Sequence, residues 1–163
     1  MGRKSTIYQS YKVVLCGGFM PKQSVEHSAG YDVFVPHDTI VRKGRQVIDL
    51  EFKIALPVGV EACMRPRSGF SAKGMEGWTI PRFKWFKPKN KRFDADVLIG
   101  TIDHGFHDNV GVIINNHGEP FKIEEGTRVA QIVFSKHESP ILTVVGELDG
   151  FDRGGGFGHS GIM

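Results

Sequence analysis

Apolar and polar positions along this chain alternate or gather in short runs, and none recurs at helical spacing over a sustained stretch. Tyr11 to Leu15 reads as a first strand, broken by Gly17-Gly18 and a loop from Pro21 to Ser28. Ala29-Gly30 then turns into a strand through Tyr31, Val33 and Val35. Further strands are predicted at Ile40-Val41, over Gln46 to Leu56, and from Val60 to Met64. Val97 to Ile102 and Val110 to Ile114 flank a tight turn and read as a hairpin. Phe121 to Ile123, the alternating run Thr127 to Phe134, and Ile141 to Val145 complete the set. In the alternating run, Arg128 and its neighbours are expected on opposite faces. Strand signals recur about every 8–12 residues with turn residues between them, which predicts an all-β sandwich or barrel. The one helical turn is placed over Ser68 to Lys73.

Composition supports that pattern. In 163 residues there are 21 glycines and 8 prolines, which suits many short strands joined by turns. The length suits one domain with a real core. Cys16 and Cys63 both lie in apolar runs and read as buried thiols of a reducing compartment. No signal-like start and no membrane-length apolar run occurs, so a soluble cytoplasmic protein with no membrane partner is expected. A net charge of +3 is mild; it suits an anionic ligand without implying nucleic acid.

Candidate chemistry lies in the turns. Gly100-Thr101-Ile102-Asp103-His104-Gly105-Phe106 mounts one carboxylate and one ring on a rigid bend, beside exposed backbone groups. That combination can read a flat polar ligand through the main chain, stack it on Phe106, and aim Asp103 at a water. Asp and Gly are also ordinary turn residues. Arg65 to Gly74 packs Arg65, Arg67, Lys73, Ser68, Ser71, Gly69 and Gly74 into one short segment, a combination suited to anions or to a solvated basic turn. Residues 79–95 mix Arg82, Lys84, Lys87, Lys89, Lys91 and Arg92 with Phe83, Trp85, Phe86 and Phe93. Such a stretch can bind single-stranded nucleic acid. The plainer reading is an inserted hairpin with its rings packed on the body and its charges in water. Asp152 to Gly161 is glycine-rich, with Arg153 as a cation and Phe157 as a ring that could close over a phosphorylated ligand.

Taken together, Ala29-Gly30-Tyr31-Asp32, Pro66-Arg67-Ser68-Gly69, Gly100 to Asp103 with Phe106, Gly126 to Gln131, and Arg153 to Gly161 closely resemble the five motifs of the trimeric dUTP pyrophosphatases, in order and in rough spacing. Each is weak alone; the ordered set is specific. The resemblance implies a distorted jelly-roll (β-clip) subunit over residues 1–151, with an insertion at 79–95 and a glycine-rich lid at 152–163. It implies a homotrimer with sites at the interfaces, no nucleic-acid partner, and hydrolysis of dUTP to dUMP and pyrophosphate. That reaction limits uracil in DNA and supplies dUMP for dTMP synthesis. Mg²⁺ would be carried by the triphosphate and its waters, with no direct protein ligand. By the same resemblance Asp103 polarises the attacking water, and Asp32 orients the site and the metal's water shell. Gly100 and Ile102 would stand at the base, and Phe106 would pack on the deoxyribose and exclude a 2′-hydroxyl. Arg67, Ser68, Gly69 and Gln131 would hold phosphates, Arg153 the terminal phosphate, and Phe157 with Gly158 would cover uracil.

The chain departs from that family at Phe106, where Tyr is usual, at Val97, where Asn is usual, and at Asp108, where Gly is usual. Its tail is one residue shorter between Arg153 and Phe157. Two alternatives stand beside this reading. A dCTP deaminase shares the fold but needs a proton-shuttling acid on the outgoing strand, where Val110 to Ile114 carries none. A non-catalytic regulatory or nucleic-acid-binding relative would use the basic insert as its contact surface.

Overall fold

The computed structural model describes residues 10–151. Its elements are strands β1 (Lys12–Leu15), β2 (Gly30–Phe34), β3 (Thr39–Val41), β4 (Gly44–Asp49), β5 (Phe52–Ala55) and β6 (Val60–Arg65). A single helix α1 (Ser68–Lys73) follows, then β7 (Met75–Thr79), β8 (Asn90–Phe93), β9 (Ala95–Leu98), β10 (Gly100–Ile102), β11 (Gly111–Asn116), β12 (Phe121–Ile123) and β13 (Arg128–Lys136). The all-β expectation holds, and α1 falls on the residues where the turn was placed.

All pairings are antiparallel and fall into four small sheets, ordered β1-β5, β10-β6-β13-β2, β4-β11-β9 and β3-β12-β7-β8. Their inner faces meet in one core. Val35, Val41, Leu50, Phe52, Val110, Val112, Ile114, Phe121 and Ile132 are fully enclosed there. Phe93 stacks on Phe121 with ring centroids 4.2 Å apart, which ties β8 to β12 through the core. The buried Asn116 is satisfied by the turn it closes: it donates to the carbonyl oxygen of Glu119 at 2.9 Å and accepts from the Gly118 N–H at 3.0 Å.

Four expectations are corrected. The stretch around Asp103 is not a simple hairpin. Leu98 pairs with Ile113 of β11, but the chain then changes sheets, and Gly100 pairs with Met64 of β6. No strand forms at Ile141 to Val145; these residues are irregular and exposed, with Ile141 at 94% and Val144 at 99%, and pair with no strand among the described residues. Cys16 is exposed, directly after the largely exposed strand β1, and only Cys63 is buried. Of the four rings between residues 79 and 95 only Phe93 reaches the core, while Phe83, Trp85 and Phe86 stay exposed and pack on one another. No described helix is long and apolar enough to cross a membrane.

Candidate active site

Asp32 is a carboxylate on β2, 7% exposed. A charge so enclosed needs partners, and the fold supplies them from three directions. Nε of Arg67, at the start of α1, donates to its Oδ1 at 3.0 Å. Nη1 of Arg128, on β13, donates to Oδ2 at 3.3 Å. The Ser24 hydroxyl donates to the same oxygen, brought there because Lys22 bridges to Asp32 and lays the loop along the free edge of β2. Two cations on one anion leave a net positive charge in the cleft.

That cleft is polar-lined, about 400 Å³ in volume, and bounded by Gly30, Asp32, Arg67, Ser68, Gly69, Arg128 and Gln131, with Glu76 and Arg92 at its rim. Arg67 has extended backbone at the helix N-cap and makes no side-chain cap, so its guanidinium is free for Asp32, resting over the Phe70 ring at 5.4 Å. Alternation holds beside Arg128, whose neighbour Val129 is buried, but strict alternation would set Arg128 and Gln131 on opposite sides, and β13 departs from it there. The register against β2 shifts between Arg128 and Ala130, and the extra residue turns both Arg128 and Gln131 toward this cleft. Gln131 Nε2 donates to the Pro66 carbonyl at 2.9 Å. Gly30 leaves the room for that side chain, since a Cβ there would stand 2.2 Å from Gln131 Oε1.

A second cleft of about 330 Å³ opens where the chain changes sheets. Gly100, Thr101, Ile102, Phe106, Asn109 and Gly111 line it, with Asp49 of β4 behind Asn109. β10 is an edge strand of its sheet, and the β9–β11 ladder stops at Leu98 and Ile113. The cleft is therefore walled by main-chain edges as well as side chains. Asp103 follows directly on β10 and is exposed. The turn carrying it is closed by the Phe106 N–H donating to the Asp103 carbonyl at 3.1 Å. Gly105, third in that turn, has φ of 89°, a conformation other residues adopt at a cost. His104 Nδ1 donates to the Leu56 carbonyl at 2.7 Å and fastens the turn to the body. Asn109 Nδ2 donates to Asp49 Oδ2 at 3.0 Å.

Of the residues singled out from sequence, Asp32, Arg67, Ser68, Gly69 and Gln131 share the first cleft, while Gly100, Ile102 and Phe106 share the second with Asp103 beside it. The two clefts have no lining residue in common. Arg153, Phe157 and Gly158 lie outside the described residues. Sequence reasoning missed Arg128, although it sits within the Gly126 to Gln131 motif, and His104, although it sits between Asp103 and Phe106; it also missed Ser24, which carries no local signal.

An all-β, jelly-roll-like subunit with a cationic cleft and a separate backbone-lined cleft defines the class. The dUTPase family model matches residues 18–84 and 89–161. A deoxyuridine 5'-triphosphate nucleotidohydrolase of Syntrophotalea carbinolica is 35% identical over 88% of this chain and 89% of its own length. Among solved structures, a variant of the Staphylococcus bacteriophage 80alpha dUTPase with dUpNHpp aligns with TM-score 0.78 and 23% identity, covering 95% of this chain and 100% of that one. A variant dUTPase from phage phi11 of S. aureus, described as coordinating a structural Mg(II) ion, aligns with TM-score 0.70 and 22% identity over 85% of this chain and 98% of that one. The chain belongs to the dUTPase family.

Proposed function

We propose that this protein hydrolyses dUTP to dUMP and pyrophosphate in sites shared between copies of a homotrimer. The observation that carries the reading is the division of the candidate residues. The cationic, phosphate-suited half and the base-suited half lie in different clefts of one chain, so a whole site forms when one copy's second cleft meets another copy's first. The exposed apolar residues Ile141, Leu142, Val144, Val145 and Leu148 support assembly, since so many large apolar side chains left in water within one short segment call for a partner surface.

In this reading, uracil enters the cleft beside Gly100, Ile102 and Gly111, where fixed main-chain donors and acceptors match its edge. Cytosine presents an amine where uracil has a carbonyl and leaves those groups mispaired. Phe106 packs on the deoxyribose in the space a 2′-hydroxyl would need. Arg67, Ser68, Gly69 and Gln131 take phosphate oxygens, joined by Arg128. Asp103 accepts a proton from the attacking water as its oxygen bonds to the α-phosphorus, the α–β phosphoanhydride bond breaks, and pyrophosphate leaves with the bond electrons. Positioning and charge neutralisation provide most of the rate in such a step. Arg153 adds charge at the terminal phosphate, and Phe157 with Gly158 covers the base.

Both carboxylate oxygens of Asp32 are engaged by arginines. That donor set fits Mg²⁺ arriving on the triphosphate as part of the substrate, with Asp32 reaching its water shell. A deaminase reading finds no acid on β11 from Gly111 to Asn116 to move protons at a base.

Pyrophosphate release from dUTP, dCTP, dTTP and UTP, each with Mg²⁺ and with a chelator, tests the proposal. Release from dUTP alone, abolished by the chelator, is expected. No release from dUTP, or equal turnover of dCTP or UTP, would overturn it.

A further inference from the structure

Between β7 and β8 the chain runs out in a ten-residue excursion, Ile80 to Lys89, from the edge of a sheet. Phe83 and Trp85 stack nearly parallel, centroids 4.8 Å apart and planes 5° from coplanar, and Phe86 tilts against both at 6.4 Å. These rings are not core: Trp85 is 76% exposed, Phe86 59% and Phe83 46%. The plainer reading of this insert packed its rings on the body, and that packing is absent at these three positions.

Charge is equally one-sided. No acidic residue occurs from Ile80 to Phe93. At the base of the hairpin Lys91 pairs with Glu119, and Arg92 pairs with Glu76. Arg82, Lys84, Lys87 and Lys89 form no ion pair among the described residues, and Arg82 lies over the Phe83 ring at 5.9 Å. At the foot of the loop a cleft of about 460 Å³ is lined by Ile40, Trp78, Ile80, Pro81 and Pro88, with Lys87, Lys122 and one carboxylate, Glu124, also lining it. Exposed flat rings beside unpaired cations match a polyanion whose repeating units carry π-faces.

We propose that the Ile80 to Lys89 loop is a binding surface for single-stranded nucleic acid, in which bases stack on Trp85 and Phe83 and phosphates meet Lys84, Lys87 and Lys89. An acidic protein segment would satisfy the cations but gain little from the stacked rings. A duplex keeps its bases turned inward and offers the rings no face. The surface is distinct from both clefts described above, so its use and dUTP turnover are separable.

The test uses the whole assembled protein and a fluorescently labelled oligo-dT of about 20 nucleotides, followed by anisotropy at several salt concentrations. Binding that weakens with salt is expected, with duplex DNA and polyglutamate competing poorly. Phe83→Ala with Trp85→Ala should weaken binding roughly 10-fold or more at every salt concentration. Lys84→Gln, Lys87→Gln and Lys89→Gln together should flatten the log–log salt slope by about 2. Pyrophosphate release and the mass by light scattering should match the wild type in both variants. Absence of oligonucleotide binding, binding unchanged in the ring variant, or polyglutamate or duplex competing as well as oligo-dT would overturn the proposal. A changed oligomeric mass in the ring variant would assign the rings to an interface between copies, and would overturn it too.

Discussion

Asp32 and Asp103 stand at opposite edges of the same four-stranded sheet. Asp32 pairs with Gln131 and through it with Arg65, while Ile102, the neighbour of Asp103, pairs with Ala62 on the far side of β6. Three strand spacings across and three residues along put Asp32 and Ile102 roughly 18 Å apart. The intervening strands are packed core, so neither carboxylate can swing to the other's cleft.

Mixing two inactive variants exploits that separation. Asp32→Asn and Asp103→Asn should each be nearly inactive alone. Unfolded together in equal amounts and refolded, they should regain about a quarter of the wild-type sites, because a mixed trimer contains one junction with both carboxylates intact. Activity no higher than either parent would place both residues' work within a single chain.

Asp103→Asn alone should lower kcat by roughly 10²–10⁴-fold, with dUTP binding and melting temperature nearly unchanged. The side chain is exposed and the turn is held by backbone and by His104, so little of the fold depends on it. Stopped turnover beside binding of a non-hydrolysable dUTP analogue checks this. Turnover near wild type would remove Asp103 from the chemistry.

Gly30→Ala should act on the phosphate side. The new methyl would meet Gln131 Oε1 and force its side chain off the Pro66 carbonyl. The far end of a glutamine can move, so the fold should lose only about 1 kcal/mol. Substrate binding should suffer more, and KM measured with Mg-dUTP should rise while the melting temperature shifts by a few degrees.

His104→Ala removes the fastening between the Asp103 turn and Leu56. One lost hydrogen bond costs about 1 kcal/mol of stability. The larger effect should be on kcat, about 10-fold, since the water must be held in line. His104→Gln, which keeps a donor, should recover part of the loss; equal defects in both would point to lost packing instead.

Most of the strand set was legible because short apolar runs end at glycines and prolines, as at Val60 to Met64 before Arg65-Pro66. Strand β7 was not, because Gly77 occupies a buried position where alternation would show a large apolar residue. The sheet change after Leu98 was hidden for a different reason: periodicity gives a strand's faces but never its partner. Ile141 to Val145 looks like a strand in sequence because its apolar residues are real, yet what would cover them lies outside this chain's described contacts. In the site, Arg67 and Asp32 were readable as residue types in suggestive segments. Their mutual ion pair, and the bulge that turns Arg128 to join them, depend on register across β2, β6 and β13.

The sheet change between Leu98 and Gly100 also bears on how this protein can evolve. Where the second cleft takes the base as proposed, its main-chain edges read it whatever side chains the chain carries, so point substitutions away from Ile102, Phe106 and Asn109 drift without rewriting the base that is accepted. Altering that choice calls for a change in chain length or register near Ile99. Such changes are rarer than substitutions and disturb β6 and β11 at once. The preference for one pyrimidine is on this account a heritable property of the fold's path, guarded by the same pairing that holds the molecule together.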